Sequence, residues 1–254
     1  MKENKKELIL MAEEIKVAIV SGGSRGLGYS IVKDLLNKGY KVATFSRASN
    51  KLIDNLIAEN PNEERFLWRR VDATDKHGVS GFIRDVVKKY GNINVLINNA
   101  GIGIEGILTT MSEMEIDSGI ALNFTSAVYL TRACIKSMLG QKSGCIINIS
   151  SVNALRGHKG LSVYSATKAA LHGMTISLAR EFGSQNIRIN CIAPGFFESD
   201  MSAHLQQEKI NQIIKRTPLK KLCTIDDIVK TVNFLIETQS ITGQTIVVDG
   251  GFCC

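Results

Sequence analysis

The feature that most constrains this chain is an alternation repeated along its length. Short apolar, β-branched runs recur at residues 16–21, 41–46, 66–71, 94–98, 145–150, 187–192 and 245–248, and a helix-length segment separates each from the next. Such runs read as buried strands, and strands that alternate with helices pair in parallel under helices on both faces. The expectation is an α/β fold built on a doubly wound, seven-stranded parallel sheet.

The chain has 254 residues and 44% hydrophobic content, enough to bury a sizeable single core. Its only prolines are Pro61, Pro194 and Pro218, and no Gly/Ser tract interrupts it, so no linker is expected. Residues 16–254 read as one domain, and residues 1–15, which mix Lys2, Lys5 and Lys6 with Glu3, Glu7, Glu13 and Glu14, as an N-terminal extension. The six cysteines lack metal-ligand or redox spacing and fall mostly in apolar segments, which predicts buried thiols in a reducing cytoplasm. No stretch reads as a membrane span. The net charge of +7 favours anionic ligands such as a phosphorylated cofactor or an acidic carrier protein. Because basic residues alternate with acidic ones along most of the chain, nucleic acid is not the expected partner.

In an open parallel sheet, ligands bind beyond the carboxyl ends of the strands, where strand order reverses. The first strand runs into Gly22-Gly23-Ser24-Arg25-Gly26-Leu27-Gly28, a G-x-x-x-G-x-G turn opening a helix. Gly22 permits the turn, Gly26 lets the backbone approach a pyrophosphate, and Gly28 lets the helix pack closely; the helix N-terminus then offers N–H groups to the phosphates. This is the dinucleotide-binding arrangement of a Rossmann fold. The second strand ends in Phe45-Ser46-Arg47, with no acid to accept from a ribose 2′-OH. Arg47 and Arg25 are instead suited to clamp a 2′-phosphate, which points to NADP(H). Asp72, followed by Ala73, ends the third strand; it is placed either to accept from the adenine amino group or to cap the helix after Thr74. Asn98-Asn99-Ala100-Gly101 follows the fourth strand as a floor for the cofactor or as a simple turn.

Tyr164 and Lys168 stand four residues apart, on one face of a helix. A free phenol titrates near ~10 and is a poor proton donor at neutral pH, but a neighbouring ammonium lowers that value. Thirteen residues before Tyr164, Ser150-Ser151 closes a buried strand, so Ser151 is positioned to donate to a substrate oxygen while Tyr164 supplies the proton. Asn123 interrupts an apolar helix over residues 116–139; it either holds a water that links Lys168 to solvent or is a satisfied core amide. The four histidines have no ligand spacing, and hydride transfer to a carbonyl polarised by Ser and Tyr requires no metal.

Taken in order, Gly22/Gly26/Gly28, Asn98-Asn99-Ala100-Gly101, Asn123, Ser151, Tyr164, Lys168 and Pro194-Gly195 resemble the short-chain dehydrogenase/reductase family from about residue 16 to Phe252. The resemblance implies a catalytic tetrad of Asn123, Ser151, Tyr164 and Lys168, with Asn99 and Phe197 lining the cofactor. Within the family the chain looks most like the 3-oxoacyl-acyl-carrier-protein reductases, through 24–28, 194–201, 241–245 and 249–251. That likeness implies NADPH dependence and a homotetramer packed through the helices over 116–139 and 164–182. Ser21 and Ser199 replace the usual threonines and keep the hydroxyls. Of two arginines that meet the acidic carrier in that group, one position holds Lys142, which loses the planar fork, and the other Gln185, which loses the charge. The expected activity is reduction of a 3-oxoacyl thioester. A different ketone, sugar or steroid is the alternative, with specificity set by residues 158–161 and 196–216. A non-catalytic scaffold would predict damage to the tetrad, and all four residues are present.

Overall fold

In the computed structural model, residues 15–198 and 207–254 are described. The strands are β1 Val17–Ser21, β2 Lys41–Ser46, β3 Phe66–Arg70, β4 Val95–Asn98, β5 Gly144–Ile149, β6 Ile187–Pro194 and β7 Thr245–Val248. They form one sheet in the order β3-β2-β1-β4-β5-β6-β7, and every neighbouring pair is parallel. The chain winds outward from β1 through β2 and β3, then crosses back to β4 and continues the other way. The reversal therefore lies between β1 and β4, with the glycine turn directly above it.

Strand period explains the two layers. On β1, Ala18 and Val20 face one side and Val17 and Ile19 the other, all within 1% exposure. The first pair packs with Leu27, Ile31 and Leu35 of α1 (Gly26–Asn37) and with Ile228, Val232 and Leu235 of the helix Ile225–Glu237. The second pair packs with Phe82, Ile83 and Val86 of the helix Lys76–Tyr90, and with Leu130, Cys134 and Met138 from the long helical segment that follows β4. Each buried Val, Leu, Ile, Phe or Met among them contributes about 1.5–3 kcal/mol by leaving water.

In chain order the remaining helices are α2 Lys51–Glu59, α3 Lys76–Tyr90, α4 Glu113–Ile120, α5 Ser126–Gln141, α6 Ser162–Phe182, α7 Gln207–Arg216 and α8 Ile225–Glu237. The continuous helix expected over 116–139 is divided. A capping box between Ser112 and Glu115 starts α4, and a π-helical turn at Ala121–Thr125 joins it to α5. The apolar period runs through both helices, so hydrophobicity alone gave no sign of the extra residue. Asn123 sits in that turn.

A buried polar ladder ties the sheet to its helices at the same level. Asn98 Nδ2 donates to Thr131 Oγ1 and Asn148 Oδ1, both at 2.8 Å, and Asn148 Nδ2 donates to Thr175 Oγ1 at 2.9 Å. Buried amides are costly unless bonded, and these cross-links fix β4 and β5 against α5 and α6.

Candidate active site

The glycine turn is held from behind by β4. Ser21 Oγ accepts from the backbone N–H of Asn99 and Ala100, each at 3.0 Å, and Asn99 Nδ2 donates to the carbonyls of Ser21 and Gly22 at 3.0 and 3.3 Å. The three glycines are needed for different reasons. Gly22 has φ +67°, and a Cβ there would stand 3.1 Å from Ala100 Cα. A Cβ at Gly28 would lie 2.3 Å from the Gly22 oxygen, whereas one at Gly26 would meet nothing within 4 Å. Gly26 thus opens onto free space just where α1 begins, and no side chain caps that helix. Leu27 turns its side chain into the core, and Ser24 is fixed through its carbonyl, which accepts from Asn50 Nδ2 at 2.8 Å.

Arg25 and Arg47 are both exposed, on the turn and at the end of β2. The loop carrying Arg47 is shaped from β3. Arg70 Nε donates to the Arg47 carbonyl at 3.0 Å, the Trp68 indole N–H donates to Ser46 Oγ at 2.9 Å, and Ser46 Oγ donates onward to the Ala48 carbonyl. Asp72 is exposed; its Oδ1 accepts from the N–H and hydroxyl of Thr74, which hold the carboxyl below its usual range, with a smaller contribution from Arg47. It does not cap α3, a role taken by Asp75, which accepts from the His77 N–H. Ala73 is half-buried against the core.

The expected tetrad residues converge beyond β4 and β5. Gly101 lies between two of them: its missing Cβ would be 3.1 Å from Asn123 Oδ1 and 3.3 Å from Lys168 Nζ. Lys168 is 5% exposed, and its Nζ donates to the Ile149 carbonyl at 2.9 Å. Burial pulls this amine down to about 8. Of the two readings open for Asn123, the side chain fits the satisfied amide. Its Oδ1 accepts from the Ile102 N–H at 2.8 Å, and its Nδ2 donates to the Ile102 carbonyl at 3.0 Å and to Thr167 Oγ1 at 3.3 Å.

Ser151, 8% exposed, accepts from the Asn153 N–H at 3.2 Å and faces the Tyr164 phenol. The sequence predicted a phenol lowered by Lys168. Burial instead holds Tyr164 above its ordinary value, and the opposing pull comes from Ser151. Sequence spacing could place the amine on the same helix face but could not reveal how far burial removes the phenol from water.

Ser150 supports this wall from below. Its hydroxyl donates to the Lys168 carbonyl at 2.9 Å and lies 2.7 Å from His172 Nε2. Sequence reasoning weighs His172 only as a metal ligand, although its position one helical turn beyond Lys168 is a usable signal for this contact. It does not single out Thr44, whose Oγ1 accepts from the Gly23 N–H at 3.0 Å, or Asn50.

Pro194 closes β6, and Gly195 lies against Asp249, with only 2.8 Å between its missing Cβ and Asp249 Cα. Phe197 packs at the edge of the first core layer. Ser199 lies outside the described residues.

The chain belongs to the short chain dehydrogenase family, whose model matches residues 16–210. It is an oxidoreductase that uses a nicotinamide cofactor. Among curated relatives it is 39% identical to the 3-oxoacyl-[acyl-carrier-protein] reductase of Chlamydia muridarum, over 93% of this chain and 96% of the relative. It is 38% identical to the enzyme of the same name from Staphylococcus aureus strain Mu50, over 93% and 97%, and 35% identical to carbonyl reductase family member 4 of Xenopus laevis, over 93% and 97%. Among solved structures, ElxO with NADP bound superposes with a TM-score of 0.86 at 30% identity, covering 94% of this chain and 98% of that one. No helix among the described residues is long and apolar enough to cross a membrane.

Proposed function

We propose that the protein reduces the keto group of a 3-oxoacyl thioester, carried on an acyl carrier protein, to the hydroxyl, with NADPH as reductant and Tyr164 as proton donor. The observation that carries this reading is that Lys168 Nζ lies against Gly101 and on the Ile149 carbonyl at the end of β5, just before Ser151, which faces the Tyr164 phenol. The names of the Chlamydia and Staphylococcus relatives supply the substrate class.

The cradle suits a dinucleotide. The uncapped N-terminus of α1 and the open space at Gly26 suit a pyrophosphate. Gly22, Ser24, Leu27 and Gly28 shape that turn, while Arg25 and Arg47 would read a 2′-phosphate, and Asp72 and Ala73 would flank the adenine. Asn99, Ala100, Gly101, Tyr164 and Lys168 would hold the nicotinamide half, closed by Pro194, Gly195 and Phe197. When bound, the nicotinamide supplies the hydride. Ser151 donates a hydrogen bond to the ketone oxygen and polarises it. Tyr164 transfers its phenolic proton to that oxygen as the alcohol forms. A phenol raised by burial keeps its proton at neutral pH, Ser151 favours the phenolate left behind, and Lys168, charged below about 8, holds a positive charge one helical turn away. Asn123 clamps Ile102 and keeps Gly101 against the amine.

A second reading, reduction of a simpler ketone, draws on the Xenopus carbonyl reductase relative and on Lys142 and Gln185 standing where carrier-binding arginines were expected. Steady-state kcat/KM for acetoacetyl thioesters, simple ketones and sugars, with NADPH and NADH, separates the two. Preference for a simple ketone over every thioester would displace the first reading.

A further inference from the structure

The end of β5 is fastened to α6 at two heights, and the two fastenings hold different things. The lower one is the bond from Asn148 Nδ2 to Thr175 Oγ1, which closes the polar ladder. The upper one gathers on Lys168. Its Nζ donates to the Ile149 carbonyl at 2.9 Å, and its own carbonyl accepts from the Ser150 hydroxyl at 2.9 Å. Both ends of this lysine, the backbone and the amine, are therefore tied to adjacent residues of one strand end, and Ser151 is the next residue along. His172, one helical turn after Lys168, brings Nε2 to 2.7 Å from the same Ser150 oxygen.

Proton counting at Ser150 settles which group donates. A hydroxyl has one proton and two acceptor lone pairs. Because that proton lies on the Lys168 carbonyl, the short contact to His172 forms only if Nε2 carries a hydrogen and gives it to Ser150. A ring protonated on Nδ1 alone would draw the Ser150 proton to Nε2 and release the carbonyl. Burial pulls His172 below its ordinary value, so near neutrality the ring is uncharged and its one proton belongs on Nε2. The Cys191 thiol also faces Ser150, but it is fully buried, kept protonated by that burial, and too weak a donor to replace an imidazole.

We propose that His172 is a positioning residue for the reaction: by donating from Nε2 it aims the Ser150 hydroxyl at the Lys168 carbonyl, and so sets where the Lys168 amine stands against Gly101 and Ile149. This role rests on the reading above in which Tyr164 and Lys168 serve the proton transfer. The amine ends a long, flexible stem, so its tip is only as well placed as the backbone that carries it. Small misplacements of a group near the reacting atoms are costly in rate.

The test measures kcat, KM and calorimetric NADPH affinity on variants of the full chain, with acetoacetyl-N-acetylcysteamine as substrate. His172→Leu fills the space without a donor and should lower kcat about tenfold, with KM and NADPH affinity within about threefold of wild type. In His172→Gln a side-chain amide N–H replaces the ring N–H, and kcat should return to within about threefold of wild type. Ser150→Ala should match His172→Leu, and the double variant should be no worse than either, because both break one chain of contacts. Thr175→Val removes the lower fastening and should cost stability while leaving kcat within about twofold. A readout independent of turnover is carbamylation of the Lys168 amine by cyanate, followed by peptide mass spectrometry; its rate should rise about fivefold or more in His172→Leu and fall back in His172→Gln.

An unchanged kcat or an unchanged labelling rate in His172→Leu would overturn the assignment. So would losses that multiply in the double variant, no recovery in His172→Gln, or a fall in kcat for Thr175→Val as large as that for His172→Leu, each of which would make His172 ordinary packing. If Tyr164→Phe and Lys168→Met both kept wild-type turnover, the catalytic reading would fall and the role in the reaction with it, while the cyanate rates would still decide whether His172 holds the amine.

Discussion

Around the ends of β4 and β5, Asn123, Ser151 and Lys168 are buried and already bonded to protein, whereas around the ends of β2 and β3, Arg47 and Asp72 stand in solvent. Asn123, Ser151 and Lys168 are all under 10% exposed. Arg25, Arg47 and Asp72 are exposed, and the Arg47 loop is shaped through its backbone by Arg70 and Ser46. The contrast separates two kinds of work. Chemistry needs groups whose proton affinities are altered, and burial does that at a cost to stability. Recognition of a phosphate needs positive charge held at the surface, and exposed arginines supply it at little cost to the fold. Substitutions in the buried half should therefore change stability and turnover together, and substitutions in the exposed half should change cofactor choice alone.

The largest expected effect is on Tyr164→Phe, where kcat should fall by roughly 10²–10⁴ while calorimetric NADPH affinity stays near wild type. Undiminished turnover would remove Tyr164 from the reaction. Next comes Gly28→Ala, whose methyl would press on the Gly22 oxygen; denaturant unfolding should show a loss of about 3 kcal/mol. Full stability there would mean that the turn yields more easily than its packing implies.

Lys168→Met tests the cost of burial. The Lys168 amine is lowered to about 8 in the folded chain and returns to its ordinary value, near 10.5, on unfolding. Below about pH 8 the folded state carries the full penalty of a buried ammonium. Between about 8 and 10.5 the unfolded chain holds the extra proton, so stability rises with pH. The variant should be about 2 kcal/mol more stable than wild type at pH 7, allowing for the lost bond to Ile149, with the gap closing toward pH 10.5. A gap that did not change with pH would show that desolvation is not its source. In the exposed half, Arg47→Asp should shift the NADPH-to-NADH ratio of kcat/KM by about tenfold and alter unfolding free energy by no more than about 0.5 kcal/mol. An unchanged ratio would mean that Arg47 does not read the phosphate.

The strands were legible because a buried parallel strand is written locally, in consecutive β-branched apolar residues, and Tyr164 with Lys168 because helical spacing is local too. What stayed hidden depends on contacts distant in sequence. Thr131, Asn148 and Thr175 look like isolated polar residues in apolar runs, and only the packing of α5 and α6 on the sheet joins them to Asn98. The π-helical turn at Ala121–Thr125 leaves no mark in composition. The Tyr164 proton affinity went the other way from expectation because adjacency to Lys168 was visible and depth of burial was not.

Trp68 is the sole tryptophan of the chain, and its indole is anchored to Ser46 beside the loop that bears Arg47. The protein therefore carries a built-in optical gauge. Indole emission overlaps the absorption of a reduced nicotinamide, so occupancy of the nucleotide cleft can be followed by fluorescence without attaching a dye. The same emission will signal when a distant substitution has disturbed that edge of the sheet.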